Sequence, residues 1–253
     1  MVVYRIHMGK AKCAVDLGNG SERGEYVDQD YILAKMGRPH RSISLMYCYY
    51  PLDEGWPGRA SVVHASPDVS FAWDYPYDDY FTYKGGLGGS TDGEPFNYMR
   101  EIRQHGQDVS LTLTIDPHVS DEHLAAIGED LKSFGRVFLR INHEATGNWF
   151  SFNKRCTYQE VADFFVRASR IIKEHAPNVQ TIICIGGIED LSKEEMEKEA
   201  EFAQTIPAAD IWSVDKYMAL HWGWPYDVAE HGGTTHSLSL IHISEPTRLL
   251  SIS

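Results

Sequence analysis

From residue 107 onward, short apolar runs alternate with amphipathic stretches of helical period. DVSLTLTI at 108–115 reads as a strand. SDEHLAAIGEDLKSFG at 120–135 reads as a helix, with Ser120 at its N-cap, acids in its first turn and Gly135 past its end. RVFLRI at 136–141 is the next strand. Thr157-Tyr158-Gln159-Glu160 has the spacing of a capping box. It opens a helix whose apolar positions, Val161, Phe164, Phe165, Ala168, Ile171 and Ile172, recur at three and four. NVQTIICIGG at 178–187 predicts a buried strand, Ser192 and Glu195 a second capping box, and ADIWSVDKYM at 209–218 one more strand. Earlier in the chain, RSISLMYCYY at 41–50 and PDVSFAWDY at 67–75 read as strands. EPFNYMREIRQHG at 94–106 reads as a helix with Pro95 in its first turn and Gly106 beyond its end. Strands alternating with helices of this length imply parallel βα units. The fold expected is α/β of the (β/α)8 barrel type, incomplete, with about six units where a closed barrel takes eight.

Composition narrows the partners. The 253 residues are 43% hydrophobic and 23% charged, ordinary for a globular chain, and suit one large domain or two small ones. The net charge of −13 argues against nucleic acid or an anionic membrane as partner. No apolar run reaches the ~20 residues of a membrane span, and the first twenty residues do not have the pattern of a signal peptide. The four cysteines, Cys13, Cys48, Cys156 and Cys184, lie far apart and read as buried or free thiols. The twelve histidines show no HExxH or similar ligand spacing, so neither a metal nor a cofactor is expected. KGGLGGS at 84–90 lacks the phosphate-loop ending and reads as a mobile loop. Aromatic residues make up 12% of the chain and cluster beside Asp, Pro and Gly, in MYCYYPLDEGW, FAWDYPYDDYFTY, GNWFSF and HWGWPY. A core explains part of this. A polysaccharide or oligosaccharide cleft explains the rest, because sugar C–H faces stack on rings while hydroxyls take hydrogen bonds.

The chemistry concentrates in FLRINHEATGNWFSF at 138–152. Strict alternation places Phe138, Arg140, Asn142 and Glu144 on one face of a strand and Leu139, Ile141 and His143 on the other. A face with Arg, Asn and Glu does not fit against apolar helices, because buried charges need partners. It fits a barrel interior near the C-terminal strand ends, where catalytic groups stand. The plainer reading is a buried Arg140–Glu144 ion pair without chemistry. By alternation His143 points away from Glu144, either as a core histidine or as a contact turned inward by strand twist. On the later strand Ser213, Asp215 and Tyr217 share a face, and Trp212 reads as packing. Trp222 and Trp224 lie in a Gly/Pro loop and suit sugar platforms, with Trp73 and Trp56 on the opposite rim.

These residues resemble the acid/base segment of the family 26 glycoside hydrolases, the β-mannanase family. Its pattern, Leu-Arg-x-x-His-Glu-x-Asn-Gly-x-Trp-Phe, is matched by Arg140, His143, Glu144, Gly147, Trp149 and Phe150. The chain departs at Thr146, where the family has Asn, and Asn148 is the candidate to supply that amide. VDKYMALHWGWP resembles a later family strand whose tyrosine lies near the nucleophile, which maps to Tyr217. The resemblance runs over roughly residues 108–225. It implies a retaining endo-glycosidase of β-linked polysaccharide, β-mannan before others, whose two carboxyl groups stand about 5–5.5 Å apart. Glu144 would be the general acid/base, and the nucleophile would come from a seventh strand. Arg140, His143, Asn148, Trp149, Asp215, Tyr217, Trp222, Trp224 and Trp73 would contact substrate. The alternatives are another barrel glycosidase, acting on β-glucan or xylan, and a non-catalytic carbohydrate-binding barrel. The family is usually secreted.

The end of the chain offers a decoy. LIHISE at 240–245 looks like a strand ending in a carboxylate. However, LSLIHISEPTR at 238–248 resembles an in-frame translation of a sequencing adapter. The expected division is therefore a partial catalytic domain at 1–237 and a non-native tail at 238–253. On that division the nucleophile is missing, the parent protein is the enzyme, and this chain alone is inactive.

Overall fold

A computed structural model describes residues 16–18, 33–34, 37–39, 41–56, 81–147, 150–185 and 200–214. The strands are β1 (Asp16–Gly18), β2 (Ser42–Tyr49), β3 (Phe81–Thr82), β4 (Asp108–Ile115), β5 (Val137–Ile141), β6 (Val179–Ile185) and β7 (Ile211–Val214). The helices are α1 (Phe96–Gln104), α2 (Asp121–Leu131), α3 (Ser151–Arg155), α4 (Tyr158–His175) and α5 (Thr205–Ala208). Six strands lie side by side in the order β1-β2-β4-β5-β6-β7, and β3 adds beside β2. Every pairing among them is parallel. From β3 onward a helix lies between each strand and the next, so the described residues supply consecutive βα units of an incomplete (β/α)8-type fold.

The predicted strands at 41–50, 108–115, 136–141 and 178–187 fall on β2, β4, β5 and β6, and that at 209–218 begins at β7. The six-strand path has a different first member from the one expected. β1 comes from Asp16–Gly18, three residues too few to show a period, while the predicted strand at 67–75 lies outside the described residues. The capping box at Ser192 and the tail at 238–253 also lie outside them.

Register separates two faces. Leu45, Leu111, Leu139 and Thr181 lie in one row across β2, β4, β5 and β6. This is the helix-covered face, because Ser169 Oγ on α4 lies 2.7 Å from Thr181 Oγ1. Leu111, Leu113, Leu139 and Ile141 are fully buried there, each contributing up to about 1.5–3 kcal/mol of apolar burial. The opposite row, Met46, Thr112, Arg140 and Ile182, belongs to the inner face. That face carries Ser110, Thr112, Thr114, Arg140 and Cys184, all buried.

The helices form for the reasons the pattern gave. Thr157 and Glu160 make both halves of the capping box of α4, and its six named apolar residues are buried. Ser120 stands at the N-cap of α2 in extended backbone but makes no side-chain cap bond. Gly128 lets α2 approach α4, since a Cβ there would lie 2.6 Å from that of His175. At the N-terminal end of the sheet, Asp108 pairs with Arg41 (3.0 Å), Arg103 (3.5 Å) and Arg136, which ties together the entrances of β2, β4 and β5.

The stretch at 84–90 corrects the reading of it as a mobile loop. It is packed against the outer side of the sheet. Gly86 N donates to Asp130 Oδ2 (2.6 Å), Leu87 N donates to Tyr49 Oη (3.1 Å), and Ser90 N donates to Lys84 O (2.9 Å). The glycines are there because the backbone sits against Tyr49 and Asp130, not because it is loose.

Candidate active site

Strand β5 stops at Ile141, and the backbone then enters the left-handed region twice, at Asn142 (φ 53°) and Glu144 (φ 48°). Asn tolerates that region through local hydrogen bonding. Here Asn142 N donates to Leu113 O (3.2 Å) and Asn142 Oδ1 accepts from Ile115 N (2.7 Å), so the turn is bolted to β4. Ala145 N donates to Cys184 O (2.7 Å) and joins it to β6. Gly147 N donates to Glu144 O (2.7 Å). From α3, Asn153 Nδ2 donates to Ala145 O (3.0 Å) and to Gly147 O. Glu144 thus sits half-buried at the C-terminal end of a central strand, on a short loop anchored to both neighbouring strands and to a helix. That is the end at which catalytic side chains of this architecture are placed.

Positive φ at Asn142 and Glu144 corrects the simple alternation. Phe138 and Arg140 keep to the inner face. Past Ile141 the two-residue period no longer applies. His143 is buried with its ring edge-on to Phe150 (6.0 Å), and it hydrogen-bonds the thiol of Cys184, an inner-face residue in register with Ser213. His143 therefore lies with Arg140 and Cys184, not on the helix side. Burial opposes ionisation of Cys184. The His143 hydrogen bond, the charges of His143 and Arg140, and the Glu144 backbone N–H outweigh it, so the thiol is held below its ordinary value. Among the described residues no ion pair joins Arg140 to Glu144, which removes the plainer reading of that pair.

A second polar cluster at this rim was not anticipated. Arg155, at the end of α3, donates to Asp53 Oδ1 (2.9 Å) and Oδ2 (2.8 Å) after β2, and to Asp116 Oδ2 (2.8 Å) after β4. Its guanidinium lies over the Tyr50 ring, 4.6 Å from the centroid. Asp116 Oδ1 lies 2.9 Å from His118 Nδ1, and His118 Nε2 lies 3.7 Å from Cys156 Sγ. The line Cys156–His118–Asp116 has the order of a nucleophile triad. However, burial pushes the Cys156 thiol up to about 11, so it is not an activated nucleophile. The cluster had one signal in the sequence: Asp116 and Asp53 follow the ends of predicted strands.

Trp56 is partly buried at this rim, edge-on to Tyr49 and Tyr50 at 6.3 Å each. Trp212, read as packing, is 48% exposed on the edge strand β7, where no described strand covers it. Asn148, Trp149, Asp215, Tyr217, Trp222, Trp224 and Trp73 lie outside the described residues, as does Glu245. Among the described residues no group of three His, Cys, Asp or Glu is placed to hold a metal, and no helix is long and apolar enough to cross a membrane.

No family model matches the chain, and no curated protein matches it. Among solved structures it is similar to a GH26 β-mannanase from Bacteroides ovatus, with a TM-score of 0.51 and 12% identity over 92% of this chain and 70% of that one. It is also similar to the YdhT protein from Bacillus subtilis, with a TM-score of 0.45 and 14% identity over 81% and 63%. At 12% identity the likeness to the mannanase is one of fold.

Proposed function

We propose that this chain carries the acid/base half of a retaining glycosidase site for β-linked polysaccharide, with β-mannan the first substrate to test. Glu144 protonates the departing glycosidic oxygen and then, as a carboxylate, takes a proton from the attacking water. The observation that carries the reading is the placement of Glu144. It is a carboxylate at the C-terminal end of a central strand, on a loop fixed from β4, β6 and α3. Such fixing suits a proton donor, whose geometry must be held closely. The fold likeness to a β-mannanase adds support.

The reading needs a second carboxylate as nucleophile. Asp53 and Asp116 are both committed to Arg155. The proposal therefore assigns the nucleophile to a residue outside the described set. Arg140 and His143 are assigned to the sugar next to the scissile bond. Asn148, Trp149, Asp215, Tyr217, Trp222, Trp224 and Trp73 are assigned as further substrate contacts.

The test is release of reducing ends from β-mannan, mixed-linkage glucan and xylan. It is run on this chain and on any longer product of the same gene. Hydrolysis by either that is abolished in Glu144→Gln, with substrate still bound, supports the proposal. Hydrolysis that survives in Glu144→Gln, or none from either protein, overturns it.

A further inference from the structure

The line Cys156–His118–Asp116, which fails as a nucleophile triad, has the parts of a metal half-site. Asp116 Oδ1 accepts from the His118 backbone N–H (3.0 Å) and lies 2.9 Å from His118 Nδ1. The carboxylate is ion-paired with Arg155 and its side chain is 4% exposed, so it is a fixed acceptor. Nδ1 therefore carries the ring proton, and Nε2 keeps its lone pair. Nε2 faces Cys156, 3.7 Å from Sγ. A histidine held from behind by a carboxylate, with its second nitrogen beside a thiol, is oriented as imidazole ligands are on metals.

The spacing selects the class of ion. With bonds of about 2.3 Å to sulfur and about 2.0–2.1 Å to nitrogen, a tetrahedral zinc-type ion holds the two ligand atoms about 3.5 Å apart, and a linear one about 4.3 Å. The observed 3.7 Å is close to the tetrahedral value. Sulfur beside imidazole also favours a borderline-soft ion over magnesium or calcium, which take oxygen ligands. The local field agrees. Glu160 and Asp116 both act electrostatically on Cys156, and their negative charge favours a cation there. Arg155 acts in the opposite sense, but it is paired with Asp53 and Asp116. The His118 side chain is 58% exposed, so water can fill the other coordination positions.

We infer that Cys156 Sγ and His118 Nε2 are paired ligands of a thiophilic divalent cation of the zinc class, with Asp116 fixing the imidazole from behind. The ion takes the place of the thiol proton, which leaves to solvent. Bound there, it ties the turn after β4 to the junction of α3 and α4, the same elements that Arg155 bridges. The site stands apart from Glu144 and does not depend on the glycosidase reading.

The test uses the 253-residue chain, with cadmium chloride, zinc chloride and magnesium chloride as probes. Titration with cadmium is expected to raise a thiolate-to-metal charge-transfer absorption that saturates at one ion per chain. Zinc is expected to displace cadmium and remove the absorption, and magnesium to leave it in place. Cys156→Ser should abolish the absorption, and His118→Gln should weaken cadmium binding about tenfold or more. A second measurement needs no variant: zinc is expected to slow alkylation of Cys156 by iodoacetamide in the parent chain, read by peptide mass spectrometry. No charge-transfer absorption with cadmium overturns the inference, as does an absorption that survives in Cys156→Ser. Equal affinity in His118→Gln and the parent overturns the pairing of the two ligands. Magnesium displacing cadmium as well as zinc does overturns the class of ion. Alkylation of Cys156 at the same rate with and without zinc overturns the site even where a variant fails to fold.

Discussion

Replacing Gly86 by Ala tests whether the glycine-rich stretch at 84–90 is a built part of the fold. Gly86 has φ +80°, a conformation that costs an L-residue about 1–2 kcal/mol. A Cβ there would lie 2.3 Å from Tyr49 Oη. Tyr49 cannot easily yield. It is 2% exposed, it receives Leu87 N at 3.1 Å, and its oxygen lies 2.7 Å from His123 Nδ1. Moving it breaks those contacts and leaves buried polar atoms unsatisfied, a further cost of about 1–3 kcal/mol. The expected loss is about 2–5 kcal/mol in all. Gly88 is the internal control, because it has φ +72° and a Cβ added there would meet nothing within 4 Å, so Gly88→Ala carries the backbone cost alone. Urea unfolding followed by fluorescence should show a lower midpoint for both variants with unchanged slope. Gly86→Ala should lose about 1–3 kcal/mol more than Gly88→Ala. Equal losses, or a larger loss at Gly88, refute the claim that Tyr49 and the loop are packed together.

Two further measurements probe the polar clusters. Arg155→Met leaves Asp116, whose side chain is 4% exposed, without its guanidinium partner. Breaking such a pair costs roughly 3–5 kcal/mol when fully buried, and about 2–4 here because Arg155 is itself a quarter exposed; a urea-derived loss below about 1 kcal/mol refutes the clamp. Burial raises Asp130 above the ordinary carboxylate range, against the hydrogen bonds from Gly86 N and Tyr83 Oη. The folded protein then holds that proton more tightly than the unfolded chain. The stability it contributes is complete below the unfolded value and declines as pH rises through the folded one. The unfolding free energy of the parent relative to Asp130→Asn should therefore fall as pH rises above the ordinary carboxylate value of about 4. A difference that does not change with pH counts against this.

Most of the fold was legible because its longer strands are rich in apolar residues and its helices are amphipathic. The faces of β5 followed from a period of two, and the burial of the apolar positions of α4 from a period near four. β1 was not legible, since Asp16–Gly18 is too short to carry a period and gains its place by pairing with β2. At the candidate site, residue type and position singled out Glu144 and Arg140, and the structure puts them at the C-terminal end of β5. The side of His143 stayed open in the sequence because alternation does not extend past Ile141, where Asn142 turns the chain. The glycine-rich stretch was misread because glycine marks freedom and close approach alike, and only the neighbours, Tyr49 and Asp130, decide between them. The Arg155 cluster joins residues 102 positions apart, a separation that no local pattern reveals.

Glutamate at φ 48° has a consequence for how this chain can change. Backbone of that kind is least costly for glycine, so the substitution that would relax position 144 most is the one with no carboxyl group. If Glu144 has the role proposed for it, stability and proton transfer pull on this residue in opposite directions. Selection for a firmer fold alone would drive Glu144 out, whereas selection for turnover would retain it together with the bonds from β4, β6 and α3 that hold the loop in shape.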